Sequence, residues 1–167
     1  RDVITAGGGA VLMAPNRREW IVLKKFVDEA PLTDLLPDIN AALAWVQLKE
    51  FNKNEAVRKE IFALYHHSCL IGKHKMYARD MEDGSTMCSF PLVLNSSFKD
   101  VKQYAQRKDI EIRPAYENSV IALKEEELSA ECIHAKSLLL RCVHFPLYPR
   151  LTHNESAKIS KVLGTLP

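Results

Sequence analysis

No C-x-x-C pair occurs anywhere in the chain, and its four cysteines, Cys69, Cys88, Cys132 and Cys142, stand far apart. That spacing signals neither a thiol redox motif nor a zinc ribbon, and it fits a reducing, cytoplasmic compartment. Long apolar runs are missing as well. The best of them, around residues 39–46, falls far short of a bilayer span, and nothing at the N-terminus reads as a cationic segment followed by an apolar one, so no membrane partner is expected. Charge of one sign is also absent: 23 Lys and Arg stand against 21 Asp and Glu, a formal net charge of +2, so charge gives no reason to expect nucleic acid. There is no low-complexity segment and no internal repeat.

What remains is the composition of an ordinary folded domain, 167 residues with 47% hydrophobic and 26% charged, enough to bury one substantial core. Arg1, in place of an initiator Met, gives the expectation of a fragment. Glycine is scarce, 6 in all, yet three are consecutive. Val3-Ile4-Thr5 and Ala10-Val11-Leu12-Met13 flank Gly7-Gly8-Gly9, which predicts a strand, a tight turn and a second strand. The triplet lacks both the G-x-G-x-x-G spacing and the Lys-Ser/Thr of a phosphate loop, so on its own it reads as a turn.

Asn16 is placed to cap a helix that Pro31 stops, with a second stop at Pro37. From Asp38 to about His67 there is no Gly or Pro, and Ile39, Ala42, Leu43, Val46, Ala56, Val57, Ile61, Leu64 and Tyr65 recur at helical spacing, which predicts one long helix. Beyond Gly72 strands and helices alternate. Strands are expected at 86–94, 110–113 and 138–145. Helices are expected at 97–108, capped by Ser97, at 128–136, and at 152–163, where Thr152 and Glu155 have capping-box spacing; 118–128 reads as irregular or weakly helical. The fold class is α/β with an α+β small lobe: a long connector helix leading into a small antiparallel sheet covered by helices on one face.

Chemistry-bearing residues are sparse. Cys132-Ile133-His134 and Cys142-Val143-His144 place Cys and His two apart, as a strand-borne metal site wants. The first pair falls in a helical stretch, however, and buried thiols with surface imidazoles explain both pairs. His66, His67, Cys69 and His74 cluster at the end of the long helix, where capping and exposure account for them. No G-x-S-x-G or comparable local signature marks a nucleophile. Lys24-Lys25 and Lys124-Glu125-Glu126-Glu127 read as solvated helix faces.

The order of the pieces says more than any one of them. Val3-Ile4-Thr5-Ala6-Gly7-Gly8-Gly9-Ala10-Val11, the helix after it, Leu36-Pro37-Asp38-Ile39-Asn40-Ala41-Ala42-Leu43-Ala44-Trp45-Val46-Gln47-Leu48, and Arg58-Lys59-Glu60-Ile61-Phe62-Ala63-Leu64-Tyr65 resemble the C-terminal half of the DegT/DnrJ family of pyridoxal-phosphate-dependent sugar aminotransferases. The stretch 135–152, with Pro146 and Pro149 turning into the last helix, is similar to the end of that family.

The resemblance implies the C-terminal portion of a fold type I transferase. Residues 1–37 would be the tail of the large cofactor domain, 38–71 the connector helix and 72–167 the small C-terminal domain. It also implies amino transfer from an amino acid, commonly glutamate, to a keto sugar nucleotide in polysaccharide biosynthesis, with pyridoxal phosphate as cofactor and a homodimer as the assembly.

Residue by residue, the family's Schiff-base lysine falls on Asp2, which keeps only a carboxylate base as a catalytic group. The family's phosphate-reaching Asn-x-Arg falls on Thr33-Asp34-Leu35, leaving Thr33 as the cofactor contact. Arg113 and Tyr116, at the end of a small-lobe strand, are the candidate sugar-nucleotide contacts, against the alternatives of a salt-bridged surface Arg and a packed Tyr. The expectation for this chain is therefore the family fold without the family's imine chemistry, or alternatively a non-catalytic module for dimerisation or partner binding.

Overall fold

The computed structural model describes residues 4–7, 9–31, 33, 35–76, 86, 88–123 and 132–167. By internal contacts the chain forms two compact units, one ending at Asn52 and the other running Lys53–Pro167.

The first unit is short and helical. Helix α1, Arg17–Glu29, starts where expected: the Asn16 side-chain oxygen accepts from the Glu19 N–H at 3.0 Å, and the Asn16 amide donates to the Glu19 carboxylate at 2.9 Å. Helix α2, Asp38–Lys49, starts directly after Pro37. The strands expected around the glycines are not present in described residues 4–7 and 9–14, which follow an irregular path.

The long helix expected from Asp38 is interrupted. Glu50, at φ −86° and ψ 0°, is the C-cap of α2, its N–H donating to the Val46 carbonyl at 3.2 Å, and α3, Phe51–Ile71, begins on the next residue. Absence of Gly and Pro was therefore not a sufficient criterion for continuity.

The second unit is built on a four-stranded antiparallel sheet. Its strands are β1 (Lys75–Met76), β2 (Phe90–Val93), β3 (Arg113–Pro114) and β4 (Cys142–Phe145), in the order β1-β2-β4-β3. Phe90 pairs with Phe145, Leu92 with Val143, and Arg113 with His144. The period of two sends Phe90, Leu92, Val143 and Phe145 to one face. There they share a core with Ile61, Phe62 and Tyr65 of α3, with Val101 and Ala105 of α4 (Phe98–Gln106), and with Ile159, Val162 and Leu163 of α7 (His153–Gly164). The Phe90 ring is the hub, edge-on to Phe62 at 5.2 Å and to Tyr65 at 5.3 Å between centroids. Two further helices, α5 (Val120–Leu123) and α6 (Ile133–Arg141), complete the described elements.

Three boundaries differ from expectation. Ile110 and Ile112 are buried in the core but precede β3 rather than forming it. The run Leu138-Leu139-Leu140 belongs to α6, so β4 starts only at Cys142; an unbroken apolar run does not distinguish strand from helix. β2 starts at Phe90, four residues later than expected. The caps agree: Ser97 accepts from Lys99 N–H at 3.2 Å, and Thr152 and Glu155 form a full capping box. Among the described residues no helix is long and apolar enough to cross a membrane.

Candidate functional site

In the unit ending at Asn52, the glycine segment is held by α2. Thr5 N–H donates to Gln47 Oε1 at 2.9 Å, and Gln47 Nε2 donates back to the Thr5 carbonyl, so one side-chain amide satisfies both main-chain groups of one residue. Gly7 at φ +82° and Gly9 at φ +122° occupy backbone conformations that L-residues avoid. A Cβ on Gly7 would meet Asn40 Nδ2 at 2.8 Å, and one on Gly9 would meet Leu36 Cδ1 at 2.7 Å. The missing side chains are what allow this close approach.

The stripe of α2 that is partly covered is accordingly Asn40, Ala44 and Gln47, at i, i+4 and i+7. The apolar residues at helical spacing, Ile39, Ala42, Leu43 and Val46, are exposed, Val46 at 60%. The usable signal was the seven-residue spacing of two amide side chains around a small residue.

Of the sequence-predicted residues in this unit, Asp2 lies outside the described residues, as does Gly8. Thr33 is exposed, in the segment before α2, and Leu35 follows it, also exposed. The side chains held against the glycine turn, Gln47, Asn40 and Leu36, carry neither an amine that could condense with an aldehyde nor a positive charge for a phosphate. Lys24 lies over the Trp20 ring at 5.3 Å, and Lys25 pairs with Glu29 at 3.8 Å, so both amines are occupied on α1.

In the other unit, a cavity of about 670 Å³ opens where α4 faces the segment leading into β3, lined among others by Lys102, Gln106, Ile112, Arg113 and Glu117. Arg113 is at the sheet edge, fixed by its pairing with His144, and its guanidinium grips Glu111 with contacts of 2.7 and 2.8 Å. Tyr116 is half-buried just beyond β3, where its carbonyl accepts from Ser119 N–H at 3.0 Å, and it is not one of the residues lining the cavity. The structure thus brings Arg113, but not Tyr116, to the groove.

Burial sets the protonation of the remaining reactive groups. Desolvation raises the Cys69 thiol to about 11 and pushes up Cys142, while it lowers His144, so the Cys142 and His144 side chains on β4 are a neutral thiol and a neutral imidazole. Tyr65, wholly buried, is held well above the usual phenol range, first by desolvation and then by Tyr148 and Glu155.

Residues 32–164 match the model of the DegT/DnrJ/EryC1/StrS aminotransferase family. Among solved structures, the chain is similar to Spr1654 of Streptococcus pneumoniae in its PLP-form, with 18% identity over 77% of this chain and 35% of that one, at a TM-score of 0.66. It is also similar to DesV of S. venezuelae, with 13% identity over 77% and 36% and a TM-score of 0.67. The sugar aminotransferase CalS13 of Micromonospora echinospora matches over 97% of this chain and 48% of its own, with 13% identity and a TM-score of 0.66. The chain thus spans between a third and a half of these structures, and at such identities the likeness is one of fold. No curated protein sequence matches it significantly.

Proposed function

The chain belongs to the DegT/DnrJ/EryC1/StrS aminotransferase family, and on that premise we propose that it is the C-terminal portion of a sugar-nucleotide aminotransferase-like protein of polysaccharide biosynthesis. An intact relative of this kind would move an amino group from an amino acid to a keto sugar nucleotide. The proposal assigns residues 1–37 to the tail of the cofactor domain, 38–71 to the connector and 72–167 to the small lobe. The observation that supports it most is the family match running through α2, the sheet and α7 as one continuous stretch, 32–164. Arg113, which lines the groove beside α4, is the proposed sugar-nucleotide contact, with Tyr116 as a second contact proposed from the sequence.

The cofactor is a different matter. Solved relatives include a PLP-form and a PMP-form, so the family's chemistry uses pyridoxal phosphate. The residues held against the glycine turn of this chain do not fit that group: Gln47, Asn40 and Leu36 offer no imine-forming amine and no cation, and the family resemblance puts Asp2 at the lysine position. A carboxylate there can take a proton but cannot form the covalent link. We therefore derive no transamination step for this chain.

The test is to purify the full natural chain with pyridoxal phosphate, dialyse it, treat it with borohydride and measure its intact mass. Loss of the visible band and an unmodified mass are expected. A covalent adduct on any lysine would overturn the reading that this chain has lost imine chemistry.

A second reading, a non-catalytic module for dimerisation or partner binding, is favoured by one observation. Neither α1 nor α2 has a buried residue, and Trp20, Phe26, Ile39, Leu43, Trp45 and Val46 are all exposed.

A further inference from the structure

His74 lies in the short link between α3 and β1 and is only 7% exposed. Its ring is bonded on both sides. Nδ1 accepts the Asn95 main-chain N–H at 3.0 Å, and Nε2 lies 3.1 Å from the main-chain oxygen of Pro167. An amide N–H can only donate and a main-chain oxygen can only accept. The partners therefore dictate a neutral ring whose one proton is on Nε2.

Around the ring three segments are tied together. Asn95 Nδ2 donates to the Lys73 carbonyl, so the loop after β2 holds the link after α3 twice. The tail is held by the ring at Pro167, by the buried Leu166 side chain, and by Tyr104 of α4, whose hydroxyl is 3.0 Å from Thr165 Oγ1. Two residues beyond Asn95, Ser97 caps α4.

We propose that His74 is a proton-operated latch: a second proton, taken at Nδ1, sets an N–H against the Asn95 N–H and releases the Asn95 loop from the end of α3, while Nε2–H goes on donating to the Pro167 oxygen. Only a proton is exchanged with solvent, and no covalent bond changes.

The surroundings oppose that proton at neutral pH. Burial disfavours the charged ring most, the hydrogen bond to Pro167 works in the opposite direction, and the Lys73 ammonium adds to the burial effect; the net result is a lowered pKa. Among the described residues the ring faces one cation, Lys73 of its own segment; the loop after β2 brings the neutral Asn95 amide, and the tail brings the Pro167 main-chain oxygen. Because the closed state titrates below the open one, the latch is at full strength above the ordinary histidine value of about 6.5 and weakens as pH falls below it, by up to about tenfold per pH unit.

The test is an NMR titration of the wild-type chain from pH 8 to 5. It follows the His74 ring nitrogens together with hydrogen exchange at the Asn95 amide, corrected for the intrinsic pH dependence of exchange. Expected are the Nε2–H tautomer at pH 8 and a loss of Asn95 protection below pH 6.5, with Val143 in β4 unchanged. Constant Asn95 protection through the ring's titration would overturn the latch. So would a ring that takes its second proton at or above the usual value with both contacts intact. In His74→Gln the pH step at Asn95 should vanish, and its persistence would assign the step to another group such as His144. If that variant fails to fold, the wild-type titration decides alone.

Discussion

At the scale of single residues, Phe90 joins the sheet to α3. It is wholly buried, meets two aromatic rings of α3 edge-on, and pairs across the ladder with Phe145. Phe90→Ala is expected to destabilise this unit by about 3–5 kcal/mol, read as a fall in the urea midpoint at unchanged slope. A loss under 1 kcal/mol would mean that the core does not depend on this contact. The sequence offered such residues readily as core, because Phe, Leu and Val alternate there at strand period. It gave less warning of the polar groups inside. Ser68 and Ser160, hydroxyl to hydroxyl at 2.5 Å, join α3 to α7. His74 is bonded at both nitrogens, although spacing alone suggests an exposed helix-end histidine. Such pairings depend on residues 92 or 93 positions away, which no local window contains.

At the scale of elements, helices announced themselves through caps. Asn16, Ser97 and Thr152 each accept the hydrogen bond expected of them, because capping is settled within four residues of chain. Strand limits were less legible, since the apolar run before Cys142 suits either period. The covered stripe of helix α2 was not legible, because apolar spacing identifies a face but not what covers it. Its functional feature is the amide of Gln47 on Thr5. Gln47→Ala is expected to remove both bonds at a local cost of about 1 kcal/mol, seen as faster amide exchange at Thr5 with the helical circular dichroism signal unchanged. Gly9→Ala acts on the same segment from the other side, through its positive φ and the Leu36 contact. If Thr5 exchange is unaltered in Gln47→Ala, the clamp does not hold the turn.

At the scale of the whole molecule, the candidate site was half legible. Order of motifs pointed to the family, whose model matches residues 32–164, whereas Asp2 lies outside both that match and the described residues. The apolar side chains left open on α1 and α2 make a prediction of their own. Sedimentation velocity should show concentration-dependent association of the chain, and Trp45→Glu with Val46→Lys should shift it toward monomer. A monomer at all concentrations, with no effect of the double substitution, would remove the dimerisation reading.

The sheet order β1-β2-β4-β3 also has a consequence for synthesis. Of the two inner strands, each bonded on both sides, β4 is the last of the described strands to leave the ribosome. Until residues 142–145 emerge, Phe90 and Leu92 have no β4 partner, and β3 has no strand to join. The nascent small unit can therefore form only the short β1–β2 pair, with β2's other edge and β3 left open, until β4 closes it, so a chain stopped short of Cys142 would be a target for chaperones and proteases rather than a smaller version of this domain.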